Sequence, residues 1–466
     1  MCQDEGMQSL REAEREAGLE SIATEIVAEV QAWSKAHPEA KWEELEEAVL
    51  KARQRFGERV LERLVAEREA TRPVVGPRCS QCGAELQYKG QKTRYVVSSL
   101  GETTITRRYY HCANCKEGVF PLDESLGLTA RRPWSPRLQR LTSKLVARLP
   151  YAEAVEVLAE VGGIRVSPSS SWRIGQTWGQ RLQAELASEE AEQRAAAGAW
   201  STPGKRPAQP VRLGVALDGA MMYLWNEGWK EFKLGSMYEV AQETRIDPRT
   251  GDVGEFGHAV RPSYVAHLGG PEVFGWQLWT EAQRRGWQQA TDTQVLGDGA
   301  AWIWNLHQEH FHSSLATVDW YHATEHLGEA KLLLYPEGGA AATQWYNLYE
   351  KALYLGHAGE IARDLHQVAT LSSDPERAAA LEKAATYFSN HRDRMQYQEL
   401  REQGWPIGSG VVESAAKQFK ARVTGPGMRW SRAGAEHMLT LRAAVLSGSE
   451  RFDALWSRAY ENLPPS

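Results

Sequence analysis

The stretch Val211-Arg212-Leu213-Gly214-Val215-Ala216-Leu217-Asp218-Gly219 decides the fold. Apolar residues dominate it, Pro210 precedes it, and a carboxylate stands where the run stops, as in a buried strand that delivers an acid to a sheet edge. Thr293-Gln294-Val295-Leu296-Gly297-Asp298-Gly299 repeats the pattern, with Asp298 in the place of Asp218. A third acid, Glu413, lies in Gly408-Ser409-Gly410-Val411-Val412-Glu413-Ser414, which reads as a helix start. Two aspartates ending strands and a glutamate on a later helix can converge on a pair of divalent cations. Mg²⁺, or Mn²⁺ in its place, suits such a set because hard cations take oxygen ligands. Each acid alone has a plainer reading, since Asp-Gly is a common turn and a glutamate in a first turn favours the helix dipole. Their combination, in this order, carries the expectation.

Outward from this stretch, Trp229 to Tyr238 alternates as a second strand and Tyr264 to Leu268 supplies a third. Pro271 to Arg285 reads as a helix, Val295-Leu296 as a fourth strand, Ala300 to His310 as a helix and Leu315 to Asp319 as a fifth strand. Three consecutive strands followed by helix, strand, helix, strand is the order of the ribonuclease H-like fold. Its acids fall at strand ends, where open α/β sheets place their sites. Trp320 to Tyr335, Ala341 to Leu355, Glu360 to Thr370 and Pro375 to His391 then read as an all-helical block that ends at Gly404-Trp405-Pro406. Asp319 and His322, one helical turn apart, are further candidates, with His322 near a phosphate or leaving group. A helix cap for Asp319 and a packing role for His322 are the alternatives.

Upstream, Cys79-x-x-Cys82 and Cys112-x-x-Cys115 flank an alternating stretch from Lys89 to Tyr110. Two such turns close a tetrahedral thiolate shell around a structural Zn²⁺, and the stretch between them fits the hairpin of a zinc ribbon. Disulfides or a redox pair are the alternative, disfavoured in a chain whose start lacks the basic and apolar regions of an export signal. Residues 1 to about 70 are acidic and helical, which points to packing or oligomerisation rather than contact with DNA. After the ribbon the charge changes sign: Arg131, Arg132, Arg137, Arg140, Lys144 and Arg148 form a first basic cluster. A helix from Pro150, a turn at Gly162-Gly163 and a second helix capped by Ser167 and bearing Arg173 and Arg181 fit either a helix-turn-helix or an ordinary helical hairpin. A second basic cluster, Lys417, Lys420, Arg422, Arg429 and Arg432, follows Glu413, where a scissile phosphate would need positive charge. The whole chain has 466 residues, 42% of them hydrophobic and 24% charged, with a net charge of -6. That composition describes a multidomain globular protein, expected in the cytoplasm and without a membrane partner.

At this point the residues resemble a family. Leu217-Asp218-Gly219, Gly297-Asp298-Gly299-Ala300, Val318-Asp319-Trp320-Tyr321-His322 and the Gly408 to Ser414 block are similar to the catalytic blocks of DDE transposases of bacterial insertion sequences. The Mutator-like group and its Kra-type members match in having an aspartate-x-x-histidine signature and a helical insertion before the glutamate. Gly425-Pro426-Gly427-Met428-Arg429-Trp430-Ser431 also looks like the segment after the glutamate in Kra-type proteins, and the resemblance spans roughly 73 to 446. It implies an α/β protein with a ribonuclease H-like core at 208–327 and 404–450, interrupted by a helical insertion at 328–403. An N-terminal helical region (1–72), a zinc ribbon (73–128) and a helix-turn-helix-like region (129–207) precede the core, and a tail (451–466) follows it. The implied activity is binding of terminal inverted repeats, Mg²⁺-dependent strand cleavage and joining of 3′ ends to target DNA, by a homo-oligomer assembled on DNA. A catalytically silent DNA-binding regulator and a nuclease without strand transfer are the alternatives.

Overall fold

The computed structural model describes residues 2–72, 76–128, 132–197, 211–246, 251 and 253–462, with side chains from residue 18 onward. The chain is a mixed α/β protein that divides into two compact units: residues 1–175 with 461–466, and residues 176–460. No helix among the described residues is long and apolar enough to cross a membrane. Arg131 lies outside the described residues, as do Gly198, Pro203, Gly204, Lys205 and Pro207, whose residue types read as a linker.

In the first unit, helices α1 (Cys2–Ala36) and α2 (Trp42–Ala70) are followed by strands β1 (Gln87–Ser98), β2 (Gly101–His111) and β3 (Gly118–Val119), which form a sheet in that order. Only the end of β2, at Tyr110 and His111, is covered by β3, so the rest of its outer edge would leave backbone donors unpaired. Glutamates of α2 close it. Glu58, Glu62 and Glu69 accept from the backbone N–H groups of Glu102, Thr104 and Arg108 at 2.8, 2.8 and 2.7 Å. Part of the acidity of the first seventy residues is therefore spent on a sheet edge, a use that composition does not reveal. Beneath it, Val65 of α2 packs with Val96, Ile105, Leu122 and Leu128. Helix α3 (Pro121–Ser125) presents a buried Asp123 to Arg94 at 2.8 Å and to Arg107 at 2.9 Å.

Helices α4 (Pro136–Val146) and α5 (Tyr151–Gly162) follow, and α5 ends at Gly163, whose φ of +65° is the left-handed cap that glycine takes most readily. Ser167 then accepts from the Ser170 N–H at 3.2 Å and opens α6 (Pro168–Ala197). α6 is one continuous helix of 30 residues, which runs well past the Arg173 and Arg181 of the expected second helix. No glycine or proline interrupts Gln180 to Ala197, so nothing stops its propagation. The boundary between the two units falls inside α6, with Arg173 on one side and Arg181 on the other.

The second unit is built on a five-stranded sheet. Strands β4 (Arg212–Leu224), β5 (Gly228–Ile246) and β6 (Val253–His267) form an antiparallel meander. After α7 (Pro271–Arg284), strand β7 (Asp292–Gly297) pairs in parallel with β4, and after α8 (Ala301–His310), strand β8 (Leu315–Val318) pairs in parallel with β7. The resulting order is β6-β5-β4-β7-β8. Two expectations need correction. Asp218 does not end its strand, because β4 runs six residues past it, from Gly219 to Leu224, paired with β5 all the way. β5 and β6 are also far longer than read, at 19 and 15 residues, because their outer parts alternate polar residues that no core requires.

Side-chain alternation assigns the two faces. Leu213, Val215 and Leu217 pack with Phe274 and Leu278 of α7 and with Ile303 and Leu306 of α8. The alternate residues face α14 (Gly410–Val423), where Phe232, paired with Ala220, lies 6.3 Å from the Phe419 ring. Between β8 and α14 come α9 (Trp320–Leu334), α10 (Ala340–Tyr354), α11 (Ala358–Leu371), α12 (Pro375–His391) and α13 (Tyr397–Glu402). Leu327, Leu353, Ile361, Leu381, Phe388 and Tyr397 of these helices belong to the same buried cluster as Val215 and Val295, so the helical block shares the core of the sheet. Helices α15 (Arg432–Leu446) and α16 (Ser449–Glu461) complete the unit.

Candidate active site and metal centre

The sheet register places the acids. Leu217 pairs with Gly297, and Gly297 with Val318, so the next residues of the three parallel strands, Asp218, Asp298 and Asp319, form one row across the sheet. Neighbours in such a row are about 4.8 Å apart along the backbone. Asp218 shares the face of Ala216 and Ala220, toward α14, and is partly buried. Its pKa is pushed up to about 6, first by burial and then by the charge of Asp298, against the opposing pull of the Gly219 N–H, His322 and Lys420. Asp298 accepts from the Ala300 N–H at 2.9 Å, forming a turn over Gly299, whose φ is +104°. A side chain on Gly299 would meet the Tyr387 ring at 2.8 Å, so the turn must be glycine for reasons of both φ and space.

Asp319 is wholly buried and differently employed. Its carboxylate caps α9 by accepting from the N–H groups of Tyr321 at 2.7 Å and His322 at 3.0 Å, and it also accepts from the Ser409 N–H. Burial alone would raise its pKa, but these bonds and His322 outweigh that and hold it below the usual value. The Gly408-Ser409-Gly410 block is thus the strap by which the start of α14 is tied to the end of β8, helped by the bond from the Trp320 N–H to the Ile407 carbonyl at 2.9 Å. Asp319 acts as a helix cap and positioning residue. His322 sits with Nδ1 3.4 Å from the Asp319 carboxylate, and that neighbour, with Asp298 and Asp218 beyond it, raises its pKa to about 9 despite partial burial. A cationic imidazole therefore faces the two half-buried aspartates.

Glu413 lies in the first turn of α14, exposed, and paired with Lys417 at 2.6 Å. Lys420 follows one turn later on the same face and is near enough to Asp218 to lower its pKa. The helix that carries Glu413 is thus laid against β4, while the carboxylate itself is engaged by lysine. Among the described residues, the acids do not gather into a single group of metal-holding size; the four cysteines do. The cation assignments divide. Lys417 and Lys420 are exposed, as is Arg429 in the loop after α14. Arg422 is not: it is 1% exposed, with its guanidinium 5.4 Å from the Trp430 ring, and packs the interior rather than meeting phosphate. Arg432 is paired with Glu227 at 2.5 Å. Arg181 lies 4.8 Å over the Trp178 ring. In the first unit Arg137 and Arg173 are exposed, while Arg132, Arg140 and Lys144 are partly buried.

The cysteine centre is set by two backbone knuckles. Cys79 N–H donates to Ala84 at 2.7 Å and Cys112 N–H to Glu117 at 2.8 Å, folding each Cys-x-x-Cys into a turn that presents both sulfurs. Sγ atoms lie 3.9 Å apart for Cys79 and Cys115 and 3.6 Å apart for Cys82 and Cys112. Tetrahedral Zn–S bonds of about 2.3 Å require sulfurs about 3.8 Å apart. The cluster, two of whose cysteines are buried, can hold a metal such as zinc, and four sulfurs leave no position for a substrate.

Several residues at the acid row carried no sequence signal. Tyr387 of α12 donates to the Asp298 carbonyl at 3.2 Å and meets the His326 ring at a tilt, 4.0 Å between centroids, and His391, one turn on, has its pKa lowered to about 4 by burial and by Arg394. Lys233 of β5 is 6% exposed, paired with Glu231 and 5.0 Å from the Trp302 ring. Tyr387, His391 and His326 become neighbours of the acids only through the packing of α12 and α9 on the sheet, and Lys233, paired with Gly219, flanks Asp218 only by strand pairing, so no spacing could announce them.

Residues 280–459 match the family described as "Uncharacterised protein family (UPF0236)". A relative from Streptococcus gallolyticus, "UPF0236 protein in vanSb 3'region", is 24% identical over 389 residues, covering 79% of this chain and 76% of its own. The family match takes in Asp298, Asp319, His322 and Glu413 and leaves out Asp218 and the cysteine centre.

Proposed function

We propose that the second unit is a ribonuclease H-like, metal-dependent phosphodiester-processing core. The strand order β6-β5-β4-β7-β8, with two antiparallel and then two parallel pairings, supports the fold. The observation that carries the chemistry is the row in which Asp218 and Asp298 stand on adjacent parallel strands at the carboxyl end of β7. Two half-buried carboxylates side by side, with the proton affinity of Asp218 raised by burial and by the charge of Asp298, favour a dication between them, and their oxygens suit Mg²⁺ or Mn²⁺. Glu413 joins this set on opening its exposed ion pair with Lys417, a bond worth little in water. When bound, the metals supply an activated water or 3′-hydroxyl and charge stabilisation for in-line displacement at phosphorus. The chain's own contribution is electrostatic: cationic His322 and Lys420 flank the acids and hold phosphate oxygens, and Asp319 fixes His322 in place.

Within that class the particular reading is a DDE transposase of a bacterial insertion sequence. The first unit would bind terminal inverted repeats through Arg137, Arg173 and neighbouring cations, with the zinc centre as its structural anchor. A nuclease without strand transfer shares the acids, and a DNA-binding regulator would dispense with them. One assay separates the three: purified chain, a DNA duplex bearing the element's ends, a plasmid target and Mg²⁺. A transposase gives cut ends and joined product, lost together in Asp298→Asn and Glu413→Gln while end binding survives. Cleavage without joining selects the nuclease, and binding with neither selects the regulator.

A further inference from the structure

Strands β4 and β5 continue past Asp218 as a two-stranded ribbon closed at Trp225 to Gly228. One face is anchored. Met222 and Leu224 are buried, Leu224 bridges to Trp430, and the Trp225 N–H donates to the Trp430 carbonyl at 2.8 Å. The other face is exposed among the described residues: Met221 is 45%, Tyr223 39% and Trp229 60% exposed, and Trp225 at the tip is 61% exposed. The Tyr223 and Trp229 rings meet edge to face at 5.9 Å, which holds both without hiding either. Both acids of the ribbon are neutralised, Glu227 by Arg432 and Glu231 by Lys233, while Lys230, paired with Met222, stands on the anchored face.

Exposed aromatic clusters of this kind are rarely without use. The patch offers on the order of 500 Å² of ring and thioether surface, short of the ~800 Å² per partner that a stable protein interface requires. Flat rings whose neighbouring acids are both paired with cations instead suit nucleobases, whose stacking does not depend on sequence. Resting on the reading of this unit as a DNA-processing core, we propose that the ribbon is a stacking platform for unpaired bases of the DNA strand held at Asp218. Met221 to Trp225 lie three to seven residues beyond Asp218, about 10–24 Å of strand, which is the rise of about three to seven stacked nucleotides, and since Met221 and Tyr223 alternate to the face away from Asp218, the DNA strand would reach the rings over the tip at Trp225. Bases peeled from the duplex near the cleaved end would rest on Tyr223, Trp225 and Trp229, keeping that end open.

The test uses the full chain, Ca²⁺ to permit binding without turnover, and two fluorescent probes: a blunt duplex and the same duplex with a single-stranded 3′ overhang of about eight nucleotides. Wild type should prefer the overhang, and Trp225→Ala and Trp229→Ala should lose fivefold to a hundredfold in affinity for it while binding the blunt duplex unchanged. Trp229→Phe should restore the preference, and unaltered melting temperatures verify that the exposed substitutions leave the fold intact. Equal wild-type affinity for both probes, or parallel losses on both, overturns the platform alone. A smaller sedimenting species in the tryptophan variants overturns it in favour of a contact between copies. A wild type that binds neither probe refutes the DNA reading and the platform with it.

Discussion

Replacing Asp218 with asparagine should stabilise the metal-free protein while abolishing its chemistry. Burial and the neighbouring Asp298 raise the Asp218 pKa from the ordinary 3.8 to about 6. A raised pKa means that the folded state holds the proton more tightly than the unfolded one. The advantage is complete below pH ~4 and lost as pH rises through about 6, so at pH 8 the ionised acid works against folding. At ~1.4 kcal/mol per pH unit, the penalty at pH 8 is about 3 kcal/mol. Asp218→Asn removes the charge and keeps an oxygen for the Gly219 N–H. In EDTA at pH 8, melting followed by calorimetry should rise by roughly 5 °C for the unit of 285 residues between 176 and 460. At pH 4.5 the gain should shrink to about 1 kcal/mol, because the wild type is then largely protonated. Mg²⁺ should recover most of the difference in the wild type and add little to the variant. A variant no more stable than wild type at pH 8, or one equally favoured at both pH values, would refute the view that these aspartates repel each other in the fold.

Purified chain should carry about one zinc per molecule, and Cys79→Ser should lose it together with the protection of residues 76–128 from proteolysis; unchanged metal content by elemental analysis would remove the centre. His322 should titrate near 9 by NMR, remaining cationic at pH 8, and Asp319→Asn should bring the midpoint down toward 6.5; a wild-type midpoint near 6.5 would show that the pair is not formed. Arg422→Ala should destabilise the second unit by about 2–4 kcal/mol through lost packing. Lys417→Ala should leave stability nearly unchanged and flatten the salt dependence of DNA binding by about one unit of slope; the reverse pattern would mean that their roles have been exchanged.

Local patterns were legible wherever one residue's chemistry and its near neighbours decide the outcome. Two Cys-x-x-Cys turns and the alternation between them place four sulfurs in one cluster, because each knuckle is closed by bonds within five residues. The apolar run into Asp218 and its copy into Asp298 announce buried strands, because only a core face tolerates them. The extent of those strands was not legible: β4 outruns its apolar stretch because β5 pairs with it across the chain, and pairing energy has no local signature. The adjacency of Asp218 and Asp298 came from a register between strands more than seventy residues apart in sequence. Arg422 looked like any cation of a basic helix until Trp430 and the interior closed around it. Asp319 was offered both as a site acid and as a cap, and only the folded chain, by bringing the Ser409 N–H to its second oxygen, decided for the cap. Residue type thus determined which chemistry was possible, and packing, which sets burial and partner, decided which side chains could take part in it.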